Sequence, residues 1–147
     1  MHFIEAAVCV FKMQHSNLVR HCKIVAIGDE AVGKTKIFLA CSRSGYISNN
    51  EDFVPSIQDH RYDVVVDNLT YTVSLWDTAG GEEHDKLRPL GYPQTDVFLI
   101  CFDVSTRSSF RNVELKWLPE VKRYAPNIPI ILIGNKTDLR QKIQHSR

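Results

Sequence analysis

Residues 22–35 read CKIVAIGDEAVGKT, and the fold follows from that run. Residues 22–27 are a short, mostly apolar stretch, the pattern of a buried strand. They lead directly into Gly28-Asp29-Glu30-Ala31-Val32-Gly33-Lys34-Thr35, which fits G-x-x-x-x-G-K-S/T, and residues 35–41 then read as a helix. Strand, glycine-bearing loop and helix start together make an anion cradle. Successive backbone N–H groups and the positive end of the helix converge on one point, and the glycines let the backbone come close. Lys34 brings a point charge to β- and γ-phosphate oxygens, and the Thr35 hydroxyl is a ligand for Mg²⁺. By itself the motif specifies a nucleoside triphosphate, with ATP and GTP both open.

On either side the chain alternates strand and helix signals. Residues 61–66 and 71–76 are alternating runs joined by Asp67-Asn68, which predicts an antiparallel hairpin. Residues 97–102 (VFLICF) and 130–133 (IILI) are continuously apolar, as strands covered on both faces are. Between them Phe110, Val113, Trp117, Val121 and Tyr124 recur at helical spacing and are expected in the core; Pro119 predicts a kink and Pro126 a stop. The expected fold is α/β: a doubly wound, mostly parallel sheet with one antiparallel edge hairpin. At 147 residues, 44% hydrophobic and 24% charged, this is one domain with a sizeable core.

Two further motifs fall on strand ends. Asp77-Thr78-Ala79-Gly80 closes the hairpin's second strand, on the edge where open α/β sheets bind ligands. Asp77 is placed to hold Mg²⁺ through water, and the Gly80 N–H to sense a γ-phosphate. Asn135-Lys136-Thr137-Asp138 follows the last strand on the same edge. A carboxylate there accepts from guanine N1–H and N2–H₂, a donor pair that adenine lacks. Leaving a buried polar group unpaired by the wrong base gives discrimination of roughly 10⁴-fold in well-built sites. The three motifs in this order select guanine.

With these residues the chain resembles a Rho-family small GTPase, from about residue 22 to residue 140; WDTAG, LRPLGYPQTDVFLICFDVS, KWLPEV and PNIPIILIGNKTDLR carry the likeness. The resemblance implies a sheet ordered 2-3-1-4-5(-6), two switch segments, GTP/GDP and Mg²⁺ as ligands, and effectors, exchange factors and GAP or GDI proteins of the Rho type as partners. It also implies that Tyr46 packs beside the guanine, and that Ser56 stands for the switch threonine that ligates Mg²⁺ and touches the γ-phosphate. The candidate nucleotide-binding set is then Gly28, Glu30, Ala31, Val32, Gly33, Lys34, Thr35, Lys36, Tyr46, Ser56, Asp77, Gly80, Asn135, Lys136 and Asp138. The candidate metal ligands are Thr35, Ser56 and, through water, Asp77.

Four departures qualify the resemblance. Glu30 replaces the usual phosphate-loop glycine, placing an anion and bulk where an arginine finger would enter. Gly81 replaces the glutamine that orients the attacking water, so no catalytic residue is intact at either position. Intrinsic hydrolysis in this class is already about 10⁻⁴ to 10⁻³ s⁻¹ and needs ~10⁵-fold help from a GAP, so weak GTPase activity is expected. Glu82, Glu83 and His84 are the candidates for rescue, their plain alternative being solvated surface. Third, Phe53 replaces the usual switch tyrosine, in a slightly longer segment. Fourth, family members continue beyond the position of Arg147 through a last strand, a last helix and a prenylated tail. The expected division is therefore a residue 1–20 extension and a residue 21–147 domain lacking that strand and helix. Phe3, Ile4, Ala7, Val8, Val10 and Phe11 of the extension are candidates to cover the sheet face left bare, against the alternative of a simple tail.

Other classes find little support. The net charge of +1 and the scattered Lys36, Lys86 and Arg88 give no nucleic-acid stripe. Four irregularly spaced cysteines inside apolar runs (Cys9, Cys22, Cys41 and Cys101) read as reduced core thiols of a cytoplasmic protein, and Cys9, His15, His21 and Cys22 match no zinc spacing. No apolar run nears the ~18 residues of a membrane span, and no myristoylation or prenylation motif provides an anchor. The apolar run over residues 3–11 lacks a signal peptide's basic leader and cleavage site. The Asn68-Leu69-Thr70 sequon reads as the hairpin turn. Two alternatives to the switch stay open: a non-switching module that binds nucleotide poorly and occupies Rho partners, and a working hydrolase using Glu82, Glu83 or His84.

Overall fold

The centre of the sheet is β1 (His21–Ile27), whose last six residues are all buried because both its faces are covered. The computed structural model of the chain describes residues 2–14, 20–41 and 58–139. Around β1 lie β2 (Gln58–Val66), β3 (Leu69–Asp77), β4 (Val97–Asp103) and β5 (Ile130–Asn135), in the order β2-β3-β1-β4-β5. The β1, β3, β4 and β5 strands run parallel, and only β2 is antiparallel, against β3. The turn between β2 and β3 is Asp67-Asn68, both at positive φ (50° and 61°), the geometry that matches a hairpin's twist. This is the expected α/β sheet. Its parallel register brings the ends of β1, β3, β4 and β5 to one edge, with Ala26 opposite Asp77 and Asp103 opposite Asn135.

One sheet face carries α1 (His2–Gln14) and α2 (Lys34–Cys41). On α1, Ile4, Ala7, Val8 and Phe11 recur at helical spacing and are buried against β1, β2 and β4, with Val10 partly buried beside them. The Phe11 ring meets Tyr71 edge-on at 6.5 Å, and Lys12 donates to Asp67 at the hairpin turn (2.6 Å). Of the apolar residues expected to cover the sheet, all but Phe3, whose side chain lies outside those described, pack there. No helix among the described residues is long and apolar enough to cross a membrane.

The other face carries α3 (Arg107–Asn112), a π-helical turn (Val113–Trp117) and α4 (Leu118–Tyr124) in one continuous rod. The kink expected at Pro119 takes this form. A proline has no N–H to donate, and its ring would strike the carbonyl four residues back; widening the preceding turn relieves the clash. The Leu118 amide accordingly donates to the Val113 carbonyl, five residues back. The core assignment is corrected, in part because the extra residue turns the first half of the rod, with Phe110, out of line with Trp117 and Val121, and in part because Tyr124 is the rod's last residue. Trp117 and Val121 are buried, but Phe110 and Tyr124 are 54% and 51% exposed, resting against Phe102 and Tyr92. Cys22 and Cys101 are buried free thiols, as expected, their pKa pushed up to about 12 by burial, hence inert; Cys9 is free but exposed on the outer side of α1, which corrects its expected place in the core.

Candidate nucleotide site

Gly28 leaves β1 at φ 146° with its Cα against β4, so a side chain there would run into the Cys101 carbonyl. Gly33 sits at φ 98°, again a conformation reserved for glycine. Between them the loop crosses the strand ends and enters α2. Lys34 is buried, and its ammonium donates to the carbonyls of Gly28 (2.8 Å) and Asp29 (2.7 Å), which holds it across the loop's concave face. Burial draws its pKa below the usual lysine range, against the opposing pull of Asp77 and Asp29. A phosphate placed there would restore the cation's preference for its charge. Lys36 is exposed on α2.

Asp77, at the end of β3, lies beside the loop. The Thr35 hydroxyl donates to its carboxylate, and Thr78 secures the turn through the Ala26 carbonyl (2.7 Å). Gly80 packs directly on the phosphate loop: a Cβ built on it would clash with the Gly28 carbonyl, the Asp29 carbonyl carbon and the Glu30 nitrogen. Hydroxyl and carboxylate oxygens in contact are hard donors, and Mg²⁺ fits such a set because it takes few protein ligands and keeps waters and phosphate oxygens for the rest. Among the described residues no cluster of three His, Cys, Asp or Glu side chains offers a self-sufficient metal cage.

The third motif reaches the same edge. Asn135 donates through Nδ2 to the Val32 carbonyl (2.9 Å), tying the end of β5 to the phosphate loop. Lys136 is at φ 58°, and Asp138 is exposed on the short turn Thr137–Leu139. Sequence reading missed the partner of Lys136. Its ammonium binds Asp103 (2.8 Å), which also accepts from the Ser105 amide (2.8 Å) and hydroxyl (2.6 Å). The available signal was another carboxylate at a strand's C-terminal end. Lys136 first, then Ser105, holds the Asp103 carboxyl down at about 2, from 3.8. A depressed carboxylate stabilises the fold above 3.8, and that contribution is lost as pH falls towards about 2. Asp103→Asn is therefore expected to flatten the acid limb of the melting temperature between those two pH values, read by thermal melts at stepped pH. An unchanged limb would place the acid sensitivity elsewhere.

A family model of the Ras family matches residues 23–147. The chain belongs to the Ras family. It is thus a small GTP-binding switch domain, with its three strand-end motifs assembled on one edge of the sheet.

In this Ras-family domain the two departures at the site have clear places. Glu30 is exposed on the crest of the phosphate loop. Gly81 is buried, and the Glu83 carboxylate folds over it into the space a Cβ at 81 would enter; Glu83 also pairs with His84 (3.4 Å). Glu82 is exposed. Tyr46, Phe53 and Ser56 lie outside the described residues. A groove of about 420 Å³ lined by Pro89, Tyr92, Pro93, Tyr124, Pro126 and neighbours lies at the opposite edge of the sheet from the candidate nucleotide site, where β4 and β5 begin.

Proposed function

We propose that the chain is a Rho-type switch that holds GTP or GDP with Mg²⁺ and hydrolyses GTP poorly. The observation that carries this reading is the convergence of Lys34, Thr35, Asp77, Gly80 and Asn135 around one loop. The loop amides of residues 28–33 and the Lys34 ammonium would grip the β- and γ-phosphates. Thr35, Ser56 and, through water, Asp77 would hold Mg²⁺, which on binding neutralises phosphate charge. The Gly80 N–H would meet the γ-phosphate and close the segment behind it. Asp138 would read the guanine edge, with Lys136 and Tyr46 beside the base. The Rho assignment rests on the sequence likeness through residues 87–105 and 116–121. It implies effectors, exchange factors and GAP or GDI proteins as partners, in the cytoplasm.

The test is calorimetric titration of nucleotide-stripped protein with GTP and with ATP in Mg²⁺. A strong preference for GTP is expected, and Asp138→Asn should reduce it by about 10²-fold or more. Equal affinities for the two triphosphates would defeat the reading. The nucleotide carried through purification separates the alternatives: GTP marks a slow hydrolase, GDP a working one, and neither a non-switching module. The working-hydrolase reading has one structural observation in its favour, the Glu83 carboxylate lying where a side chain at 81 would stand.

A further inference from the structure

Asp29 lies in the phosphate loop yet turns its carboxylate away from the nucleotide edge, towards the rod on the other face of the sheet. Its Oδ1 accepts from the Trp117 indole N–H (2.8 Å), and its Oδ2 from the Asn112 amide (2.8 Å). These two donors are five residues apart. In a regular α-helix they would stand about 140° apart around the axis and could not share one carboxylate. The π-helical turn imposed ahead of Pro119 brings them to the same side.

Trp117 is fully buried and touches more than Asp29. The Arg88 guanidinium lies 4.6 Å over its ring and is itself buried. Arg88 binds both carboxylate oxygens of Glu120 (2.9 and 2.7 Å) and reaches the Ala79 carbonyl (3.1 Å), one residue before Gly80. One indole therefore stands between the phosphate loop and the segment that follows Asp77. The main-chain carbonyl of Asp29 is also one of the two acceptors of the Lys34 ammonium. Fixing the Asp29 side chain fixes the carbonyl that aims the lysine.

We propose that Trp117 and Asn112 are positioning residues for nucleotide retention: they clamp Asp29 so that the loop and Lys34 stay arranged for phosphate. The inference rests on the nucleotide-binding reading above. Neither residue touches the nucleotide, so their loss should speed its release without altering the choice of base.

The experiment follows release of a fluorescent GDP analogue in Mg²⁺ from the whole chain. Trp117→Phe keeps the buried ring and its contact with Arg88 but deletes the N–H. Because that bond ends on a charged acceptor, release should quicken by about tenfold. Asn112→Ala, at a partly exposed position, should quicken it several-fold and serves if the tryptophan variant fails to fold. Asp29→Ala should be at least as fast, and Trp117→Phe added to Asp29→Ala should add nothing, because the shared partner is already gone. A general loosening of the fold would instead give effects that multiply, and would overturn the proposal. So would release from Trp117→Phe, or from Asn112→Ala where that variant stands in, at the unmutated rate. An unmutated protein that retains no guanine nucleotide would defeat the nucleotide reading itself, and the clamp with it.

Discussion

Restoring glycine at position 30 and glutamine at position 81 together is expected to raise GAP-stimulated hydrolysis by about 10³-fold or more over the unmutated chain. The structure makes this replacement feasible. Gly81 has φ −66° and ψ 149°, ordinary extended backbone, so glutamine brings no strain. The atoms its Cβ would meet belong to the free end of Glu83, a side chain that can swing into solvent. Glu30 is exposed, so Glu30→Gly removes charge and bulk from the crest without opening a cavity. The two changes act on one transition state: the glutamine orients the water, and the vacated crest admits the arginine. Their effects should exceed the product of the single variants. Single-turnover phosphate release with and without a GAP of this family measures all four proteins. Stimulation of the unmutated chain by the ~10⁵-fold typical of the class would overturn the claim of impaired hydrolysis.

The second large effect is on stability. Phe11→Ala is expected to lower the melting temperature by about 10 °C, from a core cost of roughly 3–5 kcal/mol spread over a domain of this size. Phe11 is fully buried, edge-on to Tyr71, on a helix whose Ile4, Ala7 and Val8 are buried with it. Deleting residues 1–20 strips those side chains from the sheet and exposes the apolar residues beneath. At roughly 1.5–3 kcal/mol for each large side chain, the loss rivals the 5–15 kcal/mol that holds a typical domain together. No cooperative thermal transition should remain. Met13, on the outer side of the same helix and 87% exposed, is the control: Met13→Ala should change stability by less than about 0.5 kcal/mol. Equal melting temperatures for the Phe11 and Met13 variants would show that the helix does not cover the sheet in solution.

The two predictions draw on different kinds of legibility. Gly81 and Glu30 were visible as departures within contiguous motifs. That Glu83 occupies the space beside Gly81 was not, since the conformation of residues 81–84 decides it. The apolar spacing of Ile4, Ala7, Val8 and Phe11 was visible too, but spacing names a face without naming what it packs on. Helical periodicity placed Phe110 and Tyr124 in the core, where they are not. The period assumed a regular helix, and the π turn ahead of Pro119 put Phe110 out of phase with Trp117 and Val121; Tyr124 keeps their phase but is the last residue of its helix, resting against Tyr92.

From the amino-acid order alone came the α/β alternation, the phosphate loop, Asp77 at the end of its strand and the run from Asn135 to Asp138 on the same edge. Those features depend on neighbours: a glycine's permitted φ, a strand's alternation, a helix start's free amides. Only the folded chain decided that Asp29 would be held by Trp117, 88 residues away, that Lys136 would face Asp103, and that Asn135 would brace Val32. A hydrogen bond between distant residues has no local pattern to announce it, because its geometry exists only once the sheet register brings the strand ends to a common edge.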